Sequence, residues 1–491
     1  MDIIVTRYRN WLRLTLSSIV ALLLLILTLN IPLSAVANTI ELPSIGGSSN
    51  AIIGEETRIG SAWLKQYRRR APTTSDPIIT HYTEYLLNRL APHSEVPYKP
   101  LSLVITRNRT LNAFAVPGGV IGVNTGLFHY AKSEQQFASV LAHELAHLSQ
   151  RHYARGVEKQ KRQALTTMGA LLASILVAAN SDGDSGAAAI SATKALAIDQ
   201  QLRFSRTFER EADRIGMEIM VKAGMDPHAV SGMFEEMDRA SRFSSKVPEF
   251  LRTHPLTTNR VVDAINLARQ YPKQTFNDNV DYSLVRARAR WLTETEPQQA
   301  IQHFRSELSG FSLDPEGSRY GLALAFMSDE QYSEAQKTLS PLLKQHPNNL
   351  IVRLLDIEIT AKLGKYSEAI SQLETLIKDN KDYYPATVLL SQIYREQQNY
   401  TPSVKLLMTL TDDRPDDPAL WYNLAETAGL DQNIGQLNRA RAEYFILLAD
   451  FGNARQQLEA LSKRESANSP LKSYAKERLK ELDRLEELAK L

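Results

Sequence analysis

The sequence predicts a mainly α-helical protein: an α+β domain with a small edge hairpin, followed by an α-helical solenoid. Three observations predict it. Tyr332, Tyr366 and Tyr400 open similar segments 34 residues apart, the period of paired-helix repeats. An alternating, branched run from Leu101 to Thr106 and an interrupted one from Asn112 to Phe128 read as strands. Apolar residues recur at helical spacing between them and the repeats, as at Phe137, Val140, Leu141, Leu145 and Leu148.

Composition narrows the class. The chain has 491 residues, room for two or three domains. Its 57 basic and 55 acidic residues nearly cancel, so no basic field points to nucleic acid as a partner. There is no cysteine, which excludes disulfides, thiolate metal sites, cysteine nucleophiles and lipidated cysteine anchors.

At the N-terminus, Arg7, Arg9 and Arg13 precede an apolar run from Leu14 to Leu29, then Pro32 and Ala35-Val36-Ala37. That order predicts a signal peptide over 1–37, cleaved after Ala37, and a periplasmic protein if the host is a Gram-negative bacterium. A retained anchor is the alternative, since the run falls a little short of a full span.

Residues 38–54 are small and polar and read as a flexible lead-in to a first domain over 55–275. Helices are expected near 55–70 and 76–91, the second opening at Ser75-Asp76-Pro77. Pro117-Gly118-Gly119 breaks the second extended segment into two strands joined by a turn. Proline and glycine fit an edge strand. Such an edge either pairs with an extended peptide or is plain structure. The apolar stretch 164–179 is too short to span a bilayer and reads as a buried helix, with peripheral membrane contact as the alternative; Asn180 to Gly186 reads as a loop.

"LAHELAHLSQRH" (Leu141 to His152) carries the chemistry. Ser133 and Gln136 make an S-x-x-Q capping box ahead of it. His143 and His147, four apart, share one helical face and can reach one metal ion. Glu144 lies beside that face, placed to take a proton from an attacking water and pass it to a leaving amine. Chance produces H-E-x-x-H in a chain this long with odds on the order of one in a hundred.

A hydrolytic zinc site needs a third protein ligand and one open position. "FEREADRIG" (Phe208 to Gly216) offers Glu209, with Asp213 one turn on. Glu209 would complete the site. Asp213 would accept a hydrogen bond from the far nitrogen of a ligand histidine. A solvated acidic face is the alternative. Glu211 is the rival ligand, but it projects about 200° away around a helix. His152, five beyond His147, is rotated away on a continuous helix. It reads as surface or structural, as do His81, His93, His129, His228, His303 and His346. The first domain is thus expected to be zincin-like, with one Zn2+.

Residues 276–491 carry the repeat. "EQYSEA", "GKYSEA" and "QNYTPS" hold the three tyrosines, with Ala335 and Ala369 three residues after the first two. "DFGNA" echoes them one and a half periods on, at Phe451 and Ala454. Pro347 and Pro415 fall near turns, and Pro385 near a helix start. Each helix pair is too small to bury its own face, so pairs must stack, and the charged segment Ser473 to Leu491 would cap the end. Pro402 and Ser403 depart from the alanine-rich pattern, which puts the geometry of that repeat in question.

His143-Glu144-x-x-His147 followed by Glu209-x-x-x-Asp213 resembles the metallopeptidase family that includes the membrane CAAX prenyl proteases and bacterial heat-shock membrane proteases. "NAFAVPGG" upstream and "THPLTTNR" (Thr253 to Arg260) downstream resemble it too. With its export signal and repeats, the chain is similar end to end to periplasmic members of that family. The resemblance implies a Zn2+ site of His143, His147 and Glu209, with Glu144 catalytic. It implies an endopeptidase that degrades stalled outer-membrane β-barrel proteins and helps others mature. Its repeats would contact unfolded or stalled outer-membrane proteins or the barrel-assembly machinery. A chaperone or assembly factor with latent proteolysis is the alternative.

The resemblance also places His254 near the cleft. There it would occupy the fourth zinc position and keep the enzyme latent, or stabilise the oxyanion of the transition state. A loop histidine bonded to backbone is the plain reading.

Overall fold

The computed structural model describes residues 49–159, 205–243, 248–273, 276, 279–310, 312 and 314–489. The expected signal peptide, most of the lead-in, the 164–179 stretch and the loop after it lie outside the described residues. Among the described residues no helix is long and apolar enough to cross a membrane.

A four-stranded sheet holds β1 (Thr73–Thr74), β2 (Ser102–Thr106), β3 (Ala113–Val116) and β4 (Val120–Asn124), in the order β1-β2-β4-β3. β2 and β4 run parallel, from Ser102↔Val120 to Thr106↔Asn124. β3 pairs antiparallel with β4, from Val116↔Val120 to Ala113↔Val123, and forms an edge of the sheet. The hairpin is therefore as expected, and both turn glycines are left-handed, with φ of 86° and 83°. A Cβ on Gly118 would also lie 2.5 Å from the Glu56 carbonyl oxygen, so glycine is needed there twice over.

Two expectations need correction. The extended segment ends at Asn124, not Phe128, because Thr125–Tyr130 is a helix. Burial decides this: Phe128 stacks on Phe137 with centroids 4.2 Å apart. The first helix is Ser49–Arg70, so 49–54 is helical rather than a flexible lead-in. Its inward face includes Glu56, which is 3 % exposed. Ser49, Asn50 and Gly54 are weak helix formers, so propensity does not announce the first turn. The next helix, Pro77–Leu90, starts as expected, with the Asp76 carboxylate accepting from the Ile78 and Ile79 backbone N–H groups.

Twelve helices follow, from Val280–Thr293 to Pro470–Ala489. Tyr332, Tyr366, Tyr400 and Phe451 each open one. Ala335, Ala369 and Ala454 are fully buried at the matching position. Ser403 is equally buried, and its hydroxyl donates to the Ser391 carbonyl at 2.7 Å. Pro402 lies in the first turn of its helix, where an N–H has no helical partner. The departure from alanine therefore leaves the helix pair intact. Pro347 and Pro415 fall between helices, and Pro385 sits in the first turn of Tyr384–Glu396.

The repeats also share a closure that no motif announces. Glu330, Gly364, Gln398, Gln432 and Ala449 are left-handed, with φ between 52° and 83°. In each case the next N–H bonds the carbonyl five residues back, as in Gln331 to Phe326 at 2.9 Å and Asp450 to Phe445 at 2.8 Å. This is a Schellman ending, made with glycine only at Gly364.

One apolar core runs without a break from Ile78 to Ile393. The solenoid therefore packs onto the first domain. Tyr282 donates to the Ala131 carbonyl at 2.8 Å, and Arg288 pairs with Asp76 at 2.9 Å. The distal helices have two clusters of their own, Tyr384 to Leu447 and Ala442 to Leu482.

Candidate active site

The helix Glu134–Ser149 carries the first two candidate ligands. Ser133 caps it, accepting from the Gln136 N–H at 3.3 Å. The second half of the expected box shifts by one residue: the Gln136 side-chain Oε1 accepts from the Lys132 N–H, at 2.7 Å. His143 and His147 come one turn apart, with their Nε2 atoms 3.0 Å from each other.

The helix over 205–222 crosses this one closely. A Cβ on Gly216 would stand 3.1 Å from the His143 backbone nitrogen, so a side chain there would press the two helices apart. Glu209 then lies 3.4 Å from His143 Nε2 and 3.5 Å from His147 Nε2. His254 follows the short helix Glu249–Thr253. Its Nδ1 is 3.4 Å from His143 Nε2 and 3.1 Å from both Glu209 oxygens. One ligand atom from each of these four residues falls within 4.8 Å of the others.

Asp213 stands 3.0 Å from His143 Nδ1. Arg260 was met in the sequence only as the last residue of "THPLTTNR". It is 3 % exposed, grips Asp213 with two bonds of 2.7 Å and reaches Glu209 at 3.0 Å. The signal was indirect: two carboxylates expected in one interior need a cation.

His152 requires a correction. The helix ends at Ser149, and Arg151 is left-handed at φ 51°. A new helix over 152–159 then brings His152 back toward the cluster. His152 is buried, with Nδ1 2.9 Å from His147 Nδ1 and Nε2 3.1 Å from Glu211. Arg151 is held in its turn by Glu56, at 2.8 Å, which also accepts from the Tyr98 hydroxyl. Glu211 does project away from Glu209, and what it meets there is His152 and Arg155.

The electrostatics follow from burial and pairing. Burial disfavours the His143 imidazolium, but hydrogen bonds to Asp213 and Glu209 outweigh it and push the group up to about 10. Burial and the neighbouring His143 charge hold His147 well below the usual histidine range. Glu209 and Asp213 stay below the carboxylate range despite burial; His143 and His254 hold Glu209, and Arg260 and His143 hold Asp213. Glu144 moves the other way: burial raises it, against the pull of His254 and His143. Its Oε1 is buried with no hydrogen-bond partner.

These residues fit a divalent metal. Two imidazole nitrogens and an ionised carboxylate converge, and the set suits Zn2+. A buried carboxylate oxygen without a partner stands beside them, where a reacting water or amine would be bound. The cluster opens into a cavity of about 590 Å³ lined by Trp63, Tyr67, Phe114, Glu144, His147 and His254. Phe114 belongs to the edge strand β3.

The comparisons agree with this layout. A model for peptidase family M48 matches residues 77–267, and tetratricopeptide repeat models match 320–385 and 361–426. The beta-barrel assembly-enhancing protease of Escherichia coli (strain K12) is 32% identical over 474 residues, covering 96% of this chain and 97% of that one. A putative beta-barrel assembly-enhancing protease of Vibrio cholerae is 37% identical over 324 residues, 65% of this chain and 66% of its own length. The mitochondrial metalloendopeptidase OMA1 of Schizosaccharomyces pombe is 35% identical over 182 residues, 37% of this chain and 51% of its own.

Proposed function

We infer the function from one premise: this chain belongs to the beta-barrel assembly-enhancing protease group of peptidase family M48, and is a metalloprotease carrying tetratricopeptide repeats. It is a zinc endopeptidase of the periplasm, exported by a signal peptide cut after Ala37. It degrades outer-membrane β-barrel proteins that stall and assists the assembly of others through its repeats, which contact those clients or the barrel-assembly machinery. The observation that carries this reading is the meeting of His143, His147 and Glu209 around one point, with Glu144 beside it.

Zn2+ held by His143, His147 and Glu209 supplies Lewis acidity toward a peptide carbonyl. Glu144 accepts the proton of the attacking water and returns it to the leaving amine. Burial raises its pKa above the ordinary carboxylate value, which makes it a stronger proton acceptor. Asp213 accepts from His143 Nδ1–H, which keeps the His143 Nε2 lone pair facing the metal side. Arg260 fixes both carboxylates by charge. The open edge of β3 pairs with an extended chain, which selects unfolded clients over folded ones.

The test compares the wild type with Glu144→Gln on an unfolded outer-membrane barrel protein, with zinc content measured alongside. The expected result is cleavage by the wild type alone, with about one zinc in each protein. Absence of zinc from both would overturn the site.

A second reading rests on His254. Its Nδ1 stands within reach of the same point as the three ligands. A fourth protein ligand closes a zinc site, whereas a hydrolytic one keeps a position open. In that reading the protein is chiefly an assembly factor, and its protease is latent until His254 withdraws. His254→Ala then raises proteolysis; if the histidine assists the transition state, the same change lowers it.

A further inference from the structure

The two ligand histidines are backed differently. His143 Nδ1 meets a carboxylate directly, that of Asp213. His147 Nδ1 meets another imidazole, His152, and only beyond it a carboxylate, Glu211. Asp213 and Glu211 lie on the same helix as Glu209.

The proton order along this line is fixed by chemistry. An ionised carboxylate only accepts, so His152 Nε2–H donates to Glu211. A ring with one proton then has a lone pair on Nδ1. That lone pair accepts from His147 Nδ1–H, and His147 Nε2 is left with its own lone pair on the metal side. Reversing either bond would put a proton on His147 Nε2 and block ligation.

We propose that His152 and Glu211 are positioning residues for the metal, acting together to hold the tautomer and orientation of His147. The inference rests on the zinc reading of His143, His147 and Glu209. Three further features support it. His152 is 4 % exposed, so water does not compete for its ring. It stacks on Phe208, centroids 4.2 Å apart and planes at 14°, which sets the ring plane. The left-handed Arg151 that returns His152 to this place is anchored by a buried glutamate from a distant helix, although L side chains rarely adopt that conformation.

The test is zinc affinity of the full chain, read by competition with a chelator, with zinc itself as the probe. His152→Phe keeps a ring on Phe208 but offers no nitrogen. Glu211→Gln keeps shape but presents a donor where an acceptor is needed. Both should weaken zinc binding about 10- to 100-fold. His152→Gln, whose carbonyl can accept from His147, should recover part of that loss. Arg155→Gln removes the other partner of Glu211 and should change affinity by less than about 3-fold. Melting of the metal-free variants separates a folding defect from a lost bond. His152→Phe and Glu211→Gln that hold zinc as tightly as wild type would overturn the proposal and leave the metal site standing. A wild type that binds no zinc would overturn both.

Discussion

The catalytic domain and the distal repeats differ in how much charge they bury. Around the cluster, Glu56, Glu134, His143, Glu144, Glu209 and Arg260 are all inside. Glu56, His143, Glu209 and Arg260 are placed by directional bonds to charged or polar partners. Glu134 accepts from the Tyr82 hydroxyl, and of these six Glu144 alone keeps an oxygen unpartnered. In the distal repeats the interior is mostly Leu424, Ala425, Ala428 and their like, placed by shape, with Glu443, paired to Arg478, as a buried charge. Charge burial costs stability and fixes geometry; apolar burial adds stability and tolerates small shifts. The same chain spends stability where it needs precision and recovers it where it needs only bulk.

Four changes would break or sharpen that contrast. Arg260→Met leaves Glu209 and Asp213 buried without their cation and should cost roughly 3–5 kcal/mol, measured by denaturant unfolding of the metal-free protein. Added zinc should restore part of it, because a cation replaces the lost charge. Leu424→Ala, in a fully buried apolar position, should cost roughly 2–5 kcal/mol. Its effect should stay local, with faster hydrogen exchange over the distal helices and none at the HELAH helix.

Acid should separate the regions next. Glu209, Glu211 and Asp213 are all held below their ordinary carboxylate values, against burial; His143 and His254 hold the first, His152 and Arg155 the second, Arg260 and His143 the third. Groups lowered in the folded state give stability that is present above the unfolded value, about 4, and lost as pH falls toward the folded value. Hydrogen exchange of the metal-free protein, followed from pH 6 to pH 3, should show the catalytic domain loosening before the distal repeats. The smallest effect belongs to Ser403→Ala, which deletes one buried bond to the Ser391 carbonyl and should lower stability by about 1 kcal/mol.

What could be read from the sequence was what repeats or lies close together. His143, Glu144 and His147 share one helix turn. Glu209 and Asp213 share another, and the tyrosines mark a period. Those signals survive folding because they are local. His152 was misplaced because a continuous helix was extended past Ser149, and the turn that ends it is held by Glu56, far upstream. Arg260 was unassigned because its two partners stand on a different helix. The start of the first helix was missed for a different reason: Ser49, Asn50 and Gly54 are weak helix formers and read as a lead-in. For His152 and Arg260, then, position depends on a charge partner distant in sequence.

The unbroken core from Ile78 to Ile393 bears on how the two activities can be taken apart genetically. Deleting everything after residue 275 to ask what the repeats contribute would also strip Tyr282 from Phe128 and Phe137, and Arg288 from Asp76. The truncated chain would expose apolar surface that the intact one never shows, and its phenotype would mix a missing partner surface with a damaged enzyme. Deletions beginning beyond Ile393 cut through a cluster that also holds Tyr384 and Val388, and they remove Arg414 from Glu84 and the Ala449 carbonyl from Arg69. Single substitutions, such as those at Glu144, leave every helix in place and are the alleles that can assign a cellular defect to one half of the molecule.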